Sequence, residues 1–190
     1  MKRVREENNN TRDRWEQIYG GPDVDRWTMW HDPELLRMFS ERIPRRARVL
    51  DLGVGNAFAE RLIARPDVLW HGVDHSPAVL AHLEKVGGVF WGALIPWDLE
   101  ALPVPFVDRQ FDLVMCTEVL EHMSDPPALA AEIVRCGKAV AVTVPNANAT
   151  DTAFHLWSID EDDLRTWFPG CEIQTARKGT ILCAFTKADG

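Results

Sequence analysis

Short apolar runs recur along the chain, and longer stretches with helical spacing of apolar residues separate most of them. Seven runs have the length and composition of β-strands, at residues 49–52, 68–70, 89–91, 111–115, 139–144, 171–175 and 180–186. The first five are mostly apolar, which is typical of strands that are covered on both faces. We therefore predict a central sheet with helices packed on both of its sides.

Signals for helix starts lie between most of these runs. Three of them place a polar capping side chain directly before a proline, which the first helical position tolerates: Asp32-Pro33, Ser76-Pro77 and Asp125-Pro126. A further helix is predicted after Ser158, because Glu161 three residues later would complete a capping box.

The first residues of the chain are polar and charged. Residues 1–11 show no apolar periodicity, so we expect them to be frayed. Trp15, Ile18 and Tyr19 then recur at helical spacing, and Gly-Gly-Pro at 20–22 predicts the end of this N-terminal helix.

The alternation of strands and helices from residue 48 onward is typical of βαβ units, whose right-handed crossovers build a parallel sheet. We predict a doubly wound α/β fold with a mainly parallel, seven-stranded sheet. The last two strands would form an antiparallel hairpin across Lys178-Gly179. We expect one compact domain, in which residues 1–47 form an N-terminal helical segment and residues 48–190 form the sheet domain.

Composition narrows the class of protein. The chain of 190 residues has a net charge of −8, which repels polyanions and makes nucleic acid an unlikely substrate, although Arg42, Arg45, Arg46 and Arg48 form a local basic cluster. No apolar run approaches the roughly 20 residues that span a bilayer, so no membrane association is expected. The four cysteines form no C-x-x-C pair, which favours a reducing cytoplasm.

The most informative segment is 49–57, where a strand ends in a glycine-bearing turn and a helix follows. Ligands of open α/β sheets bind outside the carboxyl ends of the strands. Gly53 and Gly55 would let the backbone bend tightly and approach a ligand, although many such turns need glycine for packing alone. Asp51 at this turn would repel a phosphate and attract a cation.

Two further acids strengthen this interpretation. Asp74 ends the next strand, near the offset at which an acidic side chain accepts hydrogen bonds from ribose hydroxyls. Asp98, followed by Leu99, is placed to accept from an adenine amino group, and a simple turn aspartate is an equal alternative. Phe58 stands where a dinucleotide fingerprint has its third glycine, and no G-K-[ST] sequence is present, so NAD, FAD and a P-loop are disfavoured.

Several segments in this order resemble the motifs of class I S-adenosylmethionine-dependent methyltransferases. They are 49–56, 72–74, Asp98, 111–123 and 142–146, and the resemblance runs from about residue 48 to residue 168. It implies a Rossmann-like fold, S-adenosylmethionine as the cofactor, and methyl transfer by in-line displacement to an O, N or C atom of a small molecule. Ala57 departs from the pattern, which often has glycine there.

The same resemblance implies roles for individual residues. Asp51, Gly53, Gly55 and Asn56 would surround the methionine part of the cofactor. The remaining cofactor-binding residues would be Asp74 at the ribose, His75, Asp98 and Leu99 at the adenine, Cys116 facing the methionine through its backbone, and Tyr19 closing over the site from the N-terminal segment. For Tyr19 and its neighbour Trp15, simple helix packing is the alternative.

Catalysis needs few side chains, because the sulfonium is already an activated methyl donor. A hydroxyl or ammonium acceptor must lose a proton, and His122 and then His155 are the candidate bases. The small-molecule interpretation requires no metal. The identity of the acceptor and the oligomeric state stay open.

Two alternatives remain. Glu118, Glu121, His122 and His155 are similar to the metal site of small-RNA terminal 2′-O-methyltransferases, and Glu118 and Glu121 would share a face if that segment is helical. The other alternative is a non-catalytic cofactor-binding or interaction module on the same fold.

Tryptophans outside the predicted strands would form the wall of an acceptor pocket or a surface for a partner chain: Trp27, Trp30, Trp97 and Trp157.

Overall fold

The computed structural model describes residues 1–19, 32–86, 89, 91–146 and 154–187. The strands are β1 (Lys2–Arg3), β2 (Arg48–Leu52), β3 (Leu69–Asp74), β4 (Trp91–Pro96), β5 (Leu113–Thr117), β6 (Val140–Pro145), β7 (Trp157–Ser158), β8 (Glu172–Ala176) and β9 (Ile181–Phe185). The α-helices are α1 (Arg12–Tyr19), α2 (Pro33–Ser40), α3 (Phe58–Ile63), α4 (Pro77–Val86), α5 (Pro126–Cys136) and α6 (Glu161–Trp167). Short 3₁₀ turns lie at Leu120–His122 and Arg177–Gly179.

The central sheet has seven strands in the order β4-β3-β2-β5-β6-β9-β8. The five strands from β4 to β6 are parallel, and β9 runs antiparallel to both β6 and β8. This topology confirms the predicted mainly parallel sheet and its C-terminal antiparallel hairpin. The chain winds outward from β2 to β4 and then returns to the other side at β5. That reversal opens a crevice beyond the carboxyl ends of β2 and β5.

The core occupies both faces of the sheet, as the apolar runs predict. Alternate residues of one strand point to opposite faces, so Val49 joins α2 on one side and Leu50 joins α5 on the other. The first face contains Phe39 from α2, and the second contains Leu129 and Ile133 from α5. Because both faces are covered, the crevice at the strand ends is the place left for a ligand.

Two predicted strands lie further along the chain than expected. β4 extends from Trp91 to Pro96 and shares only Trp91 with the predicted run 89–91. β5 begins at Leu113, two residues after the start of the predicted run 111–115, and shares three residues with it. Phe111 forms only an isolated bridge with Gly137. The side chains of β4 are largely half-exposed because this strand is at the edge of the sheet, so its apolar signal is weak.

The predicted helix starts before α2, α4 and α5 are confirmed. The Asp32 side chain accepts the Glu34 N–H at 2.9 Å, and the Asp125 side chain accepts the Ala128 N–H at 3.1 Å. The Ser76 hydroxyl accepts the Val79 N–H at 3.2 Å. The predicted end of the first helix at 20–22, together with Trp27 and Trp30, lies outside the described residues.

The prediction of a frayed N-terminus is wrong for its first residues. Lys2 and Arg3 pair antiparallel with β7, and the Val4 N–H donates to the Leu156 carbonyl at 2.8 Å. The Asn10 side chain donates to the carbonyls of His122 and Phe154. A two-residue strand has no detectable periodicity, so only its pairing partner reveals it. Among the described residues, no helix is long and apolar enough to cross a membrane.

The last helix has a different cap from the one predicted. The Asp160 side chain accepts the Asp163 N–H, and the Asp163 side chain accepts the Asp160 N–H, each at 3.0 Å. Ser158 instead lies in β7, opposite Lys2. The predicted capping box of Ser158 and Glu161 is therefore wrong, because strand pairing holds Ser158 in an extended conformation.

We predict that Asp160→Ala lowers the free energy of unfolding by about 1 kcal/mol, since it leaves a helix N–H without its acceptor. The melting temperature should fall by about 2–4 °C in a chain of this size. Ser158→Ala is the matched control and should change the melting temperature by less than about 1 °C. Equal losses in the two variants would contradict the assignment of Asp160 as the cap.

Candidate functional site

A cavity of about 920 Å³ opens at the carboxyl ends of β2, β3 and β5. Of the residues that the sequence analysis singled out, its walls contain Trp15, Tyr19, Asp51, Gly53, Gly55, Asn56, Asp74, His75, Trp97, Asp98, Leu99, Glu118, Glu121, His122 and His155. The volume is at the upper end of the range for small-molecule sites, which run from about 300 to 1,000 Å³. One cavity therefore combines the predicted cofactor side with the predicted catalytic side.

The glycine turn after β2 forms the floor of the cavity. Gly53 has φ +80° and Gly55 has φ +51°, conformations that side chains disfavour. A Cβ atom on Gly53 would lie 2.5 Å from Val119 Cγ2, and one on Gly55 would lie 2.8 Å from Tyr19 Oη. The positive φ favours glycine at both positions. Space also requires glycine at Gly53, whereas the atom beside Gly55 is the tip of the Tyr19 side chain, which can move. Ala57 also has a positive φ, +49°, so it adopts a conformation that glycine would adopt with less strain.

Asp74, at the end of β3, is hydrogen-bonded to the glycine turn that follows β2. Its carboxylate accepts the Gly55 N–H at 3.1 Å and the Ser76 N–H at 2.9 Å. Burial raises the pKa of Asp74, and these two N–H donors lower it, so the donors favour the charged form. Each oxygen keeps a further lone pair that can accept a hydrogen bond from a hydroxyl group of a ligand in the cavity.

Asp51 and Glu60 form a buried pair of acids beside this turn. Asp51 is 3% exposed and Glu60, on α3, is 1% exposed. The two carboxyl groups interact with each other by a hydrogen bond, and no other side chain among the described residues bonds Asp51 Oδ1 or the carboxyl oxygens of Glu60. Burial raises the pKa of both groups, and the charge of Asp51 raises that of Glu60 further, so Glu60 is the member that keeps its proton.

The sequence analysis missed Glu60, and one signal would have found it. Side chains of a helix tilt toward its N-terminus. An acid in the first turn of α3 therefore points back toward the glycine turn and the end of β2. Its apolar neighbours in α3 conceal that signal, since the helix is only six residues long.

The other predicted cofactor residues differ in their exposure. Asn56 and Leu99 are buried at the cavity wall, and His75 is half-buried there. Asp98 is exposed, and its side chain accepts the Glu100 N–H at 3.0 Å, which is the turn contact weighed as its alternative. Cys116 is fully buried in the core and does not line the cavity, whereas the next residue, Thr117, does. The contact predicted for Cys116 is through its backbone, which the burial of its side chain does not test, so this role stays a prediction.

The segment after β5 is not one regular helix. Glu118 has φ +56°, a strained backbone conformation for a residue other than glycine, and the 3₁₀ turn begins only at Leu120. The condition under which Glu118 and Glu121 would share a helical face is therefore not met. Glu118 accepts a hydrogen bond from the Thr143 hydroxyl at 3.1 Å, and burial raises its pKa to about 7 against the opposing charge of Arg177.

Glu121, His122 and His155 form a cluster in the wall of the cavity that Asp74 also lines. Each offers one ligand atom, and these atoms all lie within 4.8 Å of one another. Glu121 is 1% exposed, and neither of its carboxyl oxygens has a hydrogen-bond partner among the described residues. Burial raises the pKa of Glu121 well above its ordinary value, and the charge of Glu118 raises it further.

His122 is held as a neutral imidazole. Its Nδ1 lies 3.0 Å from the Phe154 carbonyl, which requires a proton on Nδ1 and leaves Nε2 as the acceptor. Nε2 faces Glu121 Oε1 at 3.6 Å. Burial lowers the pKa of His122 to about 4, so Nε2 carries a lone pair at neutral pH and is a weak base.

Aromatic side chains cover this end of the cavity. Trp15 packs its ring edge-on against His122, with 5.4 Å between centroids, and stacks on Tyr19 at 5.9 Å. Phe154 lies 6.1 Å from Trp15 and completes an apolar wall. The α1 helix thus contributes to both halves of the cavity.

The charge of the cavity is acidic. Among the described residues its walls contain seven acids and two arginines, namely Asp51, Glu60, Asp74, Asp98, Glu100, Glu118 and Glu121, and Arg12 and Arg177. Such a surface favours a cationic ligand and opposes polyphosphates.

The chain is similar to known methyltransferases. A family profile described as a methyltransferase domain matches residues 50–142. The ubiquinone biosynthesis O-methyltransferase of Xylella fastidiosa is 28% identical over 131 residues, which cover 66% of this chain and 52% of that protein. The chain spans about half the length of the curated relatives it matches.

Solved structures share the fold. A SAM-dependent methyltransferase from Aquifex aeolicus has a TM-score of 0.66 at 14% identity, covering 92% of this chain and 97% of that one. The magnesium protoporphyrin IX methyltransferase of Synechocystis, solved with bound SAH, has a TM-score of 0.64 at 18% identity and covers 95% of both chains. The family profile covers just under half of the chain and agrees with the resemblance found in the sequence, and the solved structures show that the chain shares their fold.

We predict that Glu60→Gln stabilises the protein in alkaline solution. The folded state holds the Glu60 proton more tightly than the unfolded state does, so the free energy of unfolding of the wild type falls as the pH rises above about 4.5, and the glutamine variant lacks this loss. The variant should gain about 1 kcal/mol or more at pH 8.5, a rise of about 2–4 °C in melting temperature, with a smaller gain at pH 5.5.

Thermal melting at the two pH values tests this prediction. Glu84→Gln, on the exposed face of α4, is the control and should show no such trend. A stability gain that is the same at both pH values, or a loss at pH 8.5, would show that Glu60 is not a buried acid with a raised pKa.

Proposed function

We propose that this chain, which belongs to the class I S-adenosylmethionine-dependent methyltransferase superfamily, transfers a methyl group from S-adenosylmethionine to a hydroxyl oxygen of a small molecule. One observation carries the proposal: a single cavity joins the acid-lined glycine turn to the imidazoles of His122 and His155. A cofactor bound at the turn would therefore share one water-excluding space with an acceptor bound at the imidazoles.

The residues of the cavity fit the cofactor. Asp51, at the cavity wall, carries an acidic group that complements a positively charged amino-acid end, and Gly55 keeps free the space that a Cβ would fill. Asp74 has lone pairs for ribose hydroxyls, and Leu99 offers an apolar surface to a base. When bound, S-adenosylmethionine supplies an activated methyl group on a sulfonium.

The acceptor is proposed from the other half of the cavity. Trp15 and Phe154 provide an aromatic wall, which suits an aromatic or apolar molecule. The relatives are named ubiquinone biosynthesis O-methyltransferases, and that name favours oxygen as the acceptor atom here. The acidic walls make a polyanionic acceptor unfavourable.

The chain's own residues would align the reactants and take up one proton. Asp51 and Asp74 would fix the cofactor, and α1 would exclude water through Trp15 and Tyr19. His122 and His155 would face the acceptor hydroxyl, and His155 is the better candidate base because the pKa of His122 is lowered to about 4.

We predict that S-adenosylhomocysteine binds the protein and that Asp74→Asn weakens this binding at least tenfold. The asparagine keeps a carbonyl oxygen for the turn but removes the charge and one acceptor that the ribose hydroxyls need. Isothermal titration calorimetry measures the loss, which corresponds to about 1.4 kcal/mol.

Asp162→Asn, exposed on α6, is the matched control and should bind as the wild type does. An absence of binding to the wild type would overturn the proposed function. Binding without turnover on any hydroxyl acceptor would instead favour a non-catalytic cofactor-binding module.

A second candidate is the same transfer assisted by a divalent cation. It is favoured by the cluster of Glu121, His122 and His155, whose ligand atoms lie within 4.8 Å, and by the two unpartnered carboxyl oxygens of Glu121. A carboxylate with two imidazoles suits Mn²⁺, Fe²⁺ or Zn²⁺, and Mg²⁺ less well. The cation would hold an acceptor with two adjacent oxygens and lower the pKa of the one that reacts.

The RNA form of this alternative is less favoured. A terminal ribose diol offers two adjacent oxygens, but it comes with a phosphate backbone that the acidic cavity walls would repel. Glu118 also lies outside the three-residue cluster, where it is bonded to Thr143.

We predict that chelator-treated protein binds Mn²⁺ and that Glu121→Gln and His155→Ala each weaken this binding at least tenfold. Binding must displace the proton of Glu121, so the Mn²⁺ affinity should rise between pH 6 and pH 8. Calorimetric titration with Mn²⁺ alone measures both effects.

His82→Ala, on α4 and away from the cavity walls, is the control and should bind Mn²⁺ as the wild type does. Wild-type protein that binds no Mn²⁺, or variants that bind it equally well, would exclude the metal-assisted form and leave the metal-free transfer in place.

A further inference from the structure

The segment 2–10 contacts the two loops that contain the candidate bases. One loop follows β5 and contains His122, and the other leads into β7 and contains His155. β1 pairs antiparallel with β7, and the Asn8 side chain donates to the hydroxyl of Ser124, in the first loop, at 3.2 Å. Hydrogen bonds therefore fix this segment to the chain beside both imidazoles.

Asn10, at the end of this segment, bridges the two loops with one amide group. Its side-chain nitrogen donates to the His122 carbonyl at 3.3 Å and to the Phe154 carbonyl at 3.0 Å. Asn10 is half-buried in the cavity wall, and its amide oxygen has no hydrogen-bond partner among the described residues. The bridge therefore depends on the two N–H donors of the amide.

The Phe154 carbonyl also sets the state of the imidazole. Its oxygen lies 3.0 Å from His122 Nδ1, so the same oxygen receives the Asn10 amide and the imidazole. A carbonyl oxygen has two lone pairs and can accept both bonds. In a neutral imidazole, a proton on Nδ1 leaves the lone pair on Nε2. The position of the Phe154 carbonyl thus decides which nitrogen of His122 can accept a proton or hold a cation.

We propose that Asn10 is a positioning residue that holds the Phe154 carbonyl against His122 Nδ1 and thereby keeps the lone pair on Nε2. This inference rests on the proposed function and applies to both of its forms, because a proton acceptor and a metal ligand each need that lone pair. Asn10 acts on the reaction only through the carbonyl that it holds.

A purely structural role makes a different prediction. If Asn10 only fastens the segment 2–10 to the rest of the chain, its loss lowers the melting temperature and leaves the imidazole unchanged, since Trp15 also packs against His122. Asn8 fastens the same segment through Ser124, so its loss has the same kind of effect. The tautomer of His122 therefore separates the two roles.

Nuclear magnetic resonance of protein with isotope-labelled histidine tests the proposal at about pH 8, where an ordinary imidazole is neutral. Nitrogen shifts distinguish a protonated ring nitrogen from an unprotonated one, and the spectrum of His122→Gln assigns the signals. Asn10→Leu keeps the branched shape of the side chain and removes both donors. We expect it to lower the ratio of the Nδ1–H to the Nε2–H form of His122 by about fivefold or more, the factor that corresponds to one hydrogen bond of ordinary strength.

Three further variants complete the test. Asn10→Ala removes the donors without filling their space and should give the same fall as Asn10→Leu. Asn10→Gln keeps the amide on a longer side chain and should give a ratio between those of the wild type and Asn10→Leu. Asn8→Leu, on the exposed part of the segment, is the matched control and should leave the ratio as it is in the wild type. Thermal melting shows which variants are folded.

The outcomes distinguish the failure of this inference from that of the proposed function. A wild type with the His122 proton on Nε2, an unchanged ratio in a folded variant without the Asn10 donors, or an equal fall in Asn8→Leu would overturn the role of Asn10 and leave the proposed function intact. Titration with S-adenosylhomocysteine tests the function separately. A wild type that does not bind this ligand would overturn the proposed function and, with it, the catalytic purpose of the positioning.

Discussion

The concentration of carboxyl groups where parallel strands end is the constraint on which the rest of this structure depends. Parallel topology brings Asp51 and Asp74 to neighbouring strand ends, and α3 adds Glu60 from above the same turn. The helices α2 and α5 occupy the two faces of the sheet, and α1 contributes Trp15 and Tyr19 to the cavity at this edge. The acids in the cavity walls form an acidic surface that favours a cationic ligand.

These acids oppose stability in the absence of a ligand. Burial raises the pKa of Asp51, Glu60, Glu118 and Glu121, which means that the folded state resists their ionisation. A protein selected for stability alone would place apolar or hydrogen-bonded side chains there. The presence of these acids in one cavity, along with the strained backbone of Glu118, is typical of a ligand-binding site.

The sequence predicted the topology well because burial on both faces leaves a strong signal. The central strands are continuous apolar runs. Helix starts were predictable at Asp32, Ser76 and Asp125, because these side chains can accept a hydrogen bond from an N–H group of the first helical turn. The predictions failed where the decisive contact is distant in sequence. Ser158 resembles a helix cap in the sequence, and only its pairing with Lys2 shows that it lies in a strand. The strand β1 has two residues, which is too short to show an alternation of apolar and polar positions.

In the candidate site, too, the features set by topology were predictable and those set by local geometry were not. Glycines and acids at strand ends were predictable, because topology alone fixes where strands end. Glu60 was missed because a six-residue helix with apolar neighbours gives too little pattern to assign an inward face. The cluster of Glu121, His122 and His155 was recognised from its residue types, but its geometry depends on Glu118 leaving helical conformation, which no pattern predicts for glutamate.

The N-terminal segment connects the two halves of the cavity, although it contributes no strand to the central sheet. Asn10 bonds the carbonyls of His122 and Phe154, and the ring of Trp15 lies against the same histidine. Four residues later in α1, Tyr19 lies against Gly55 of the cofactor turn. Because α1 contacts both the glycine turn and His122, a change in its position would alter both of these parts of the cavity wall.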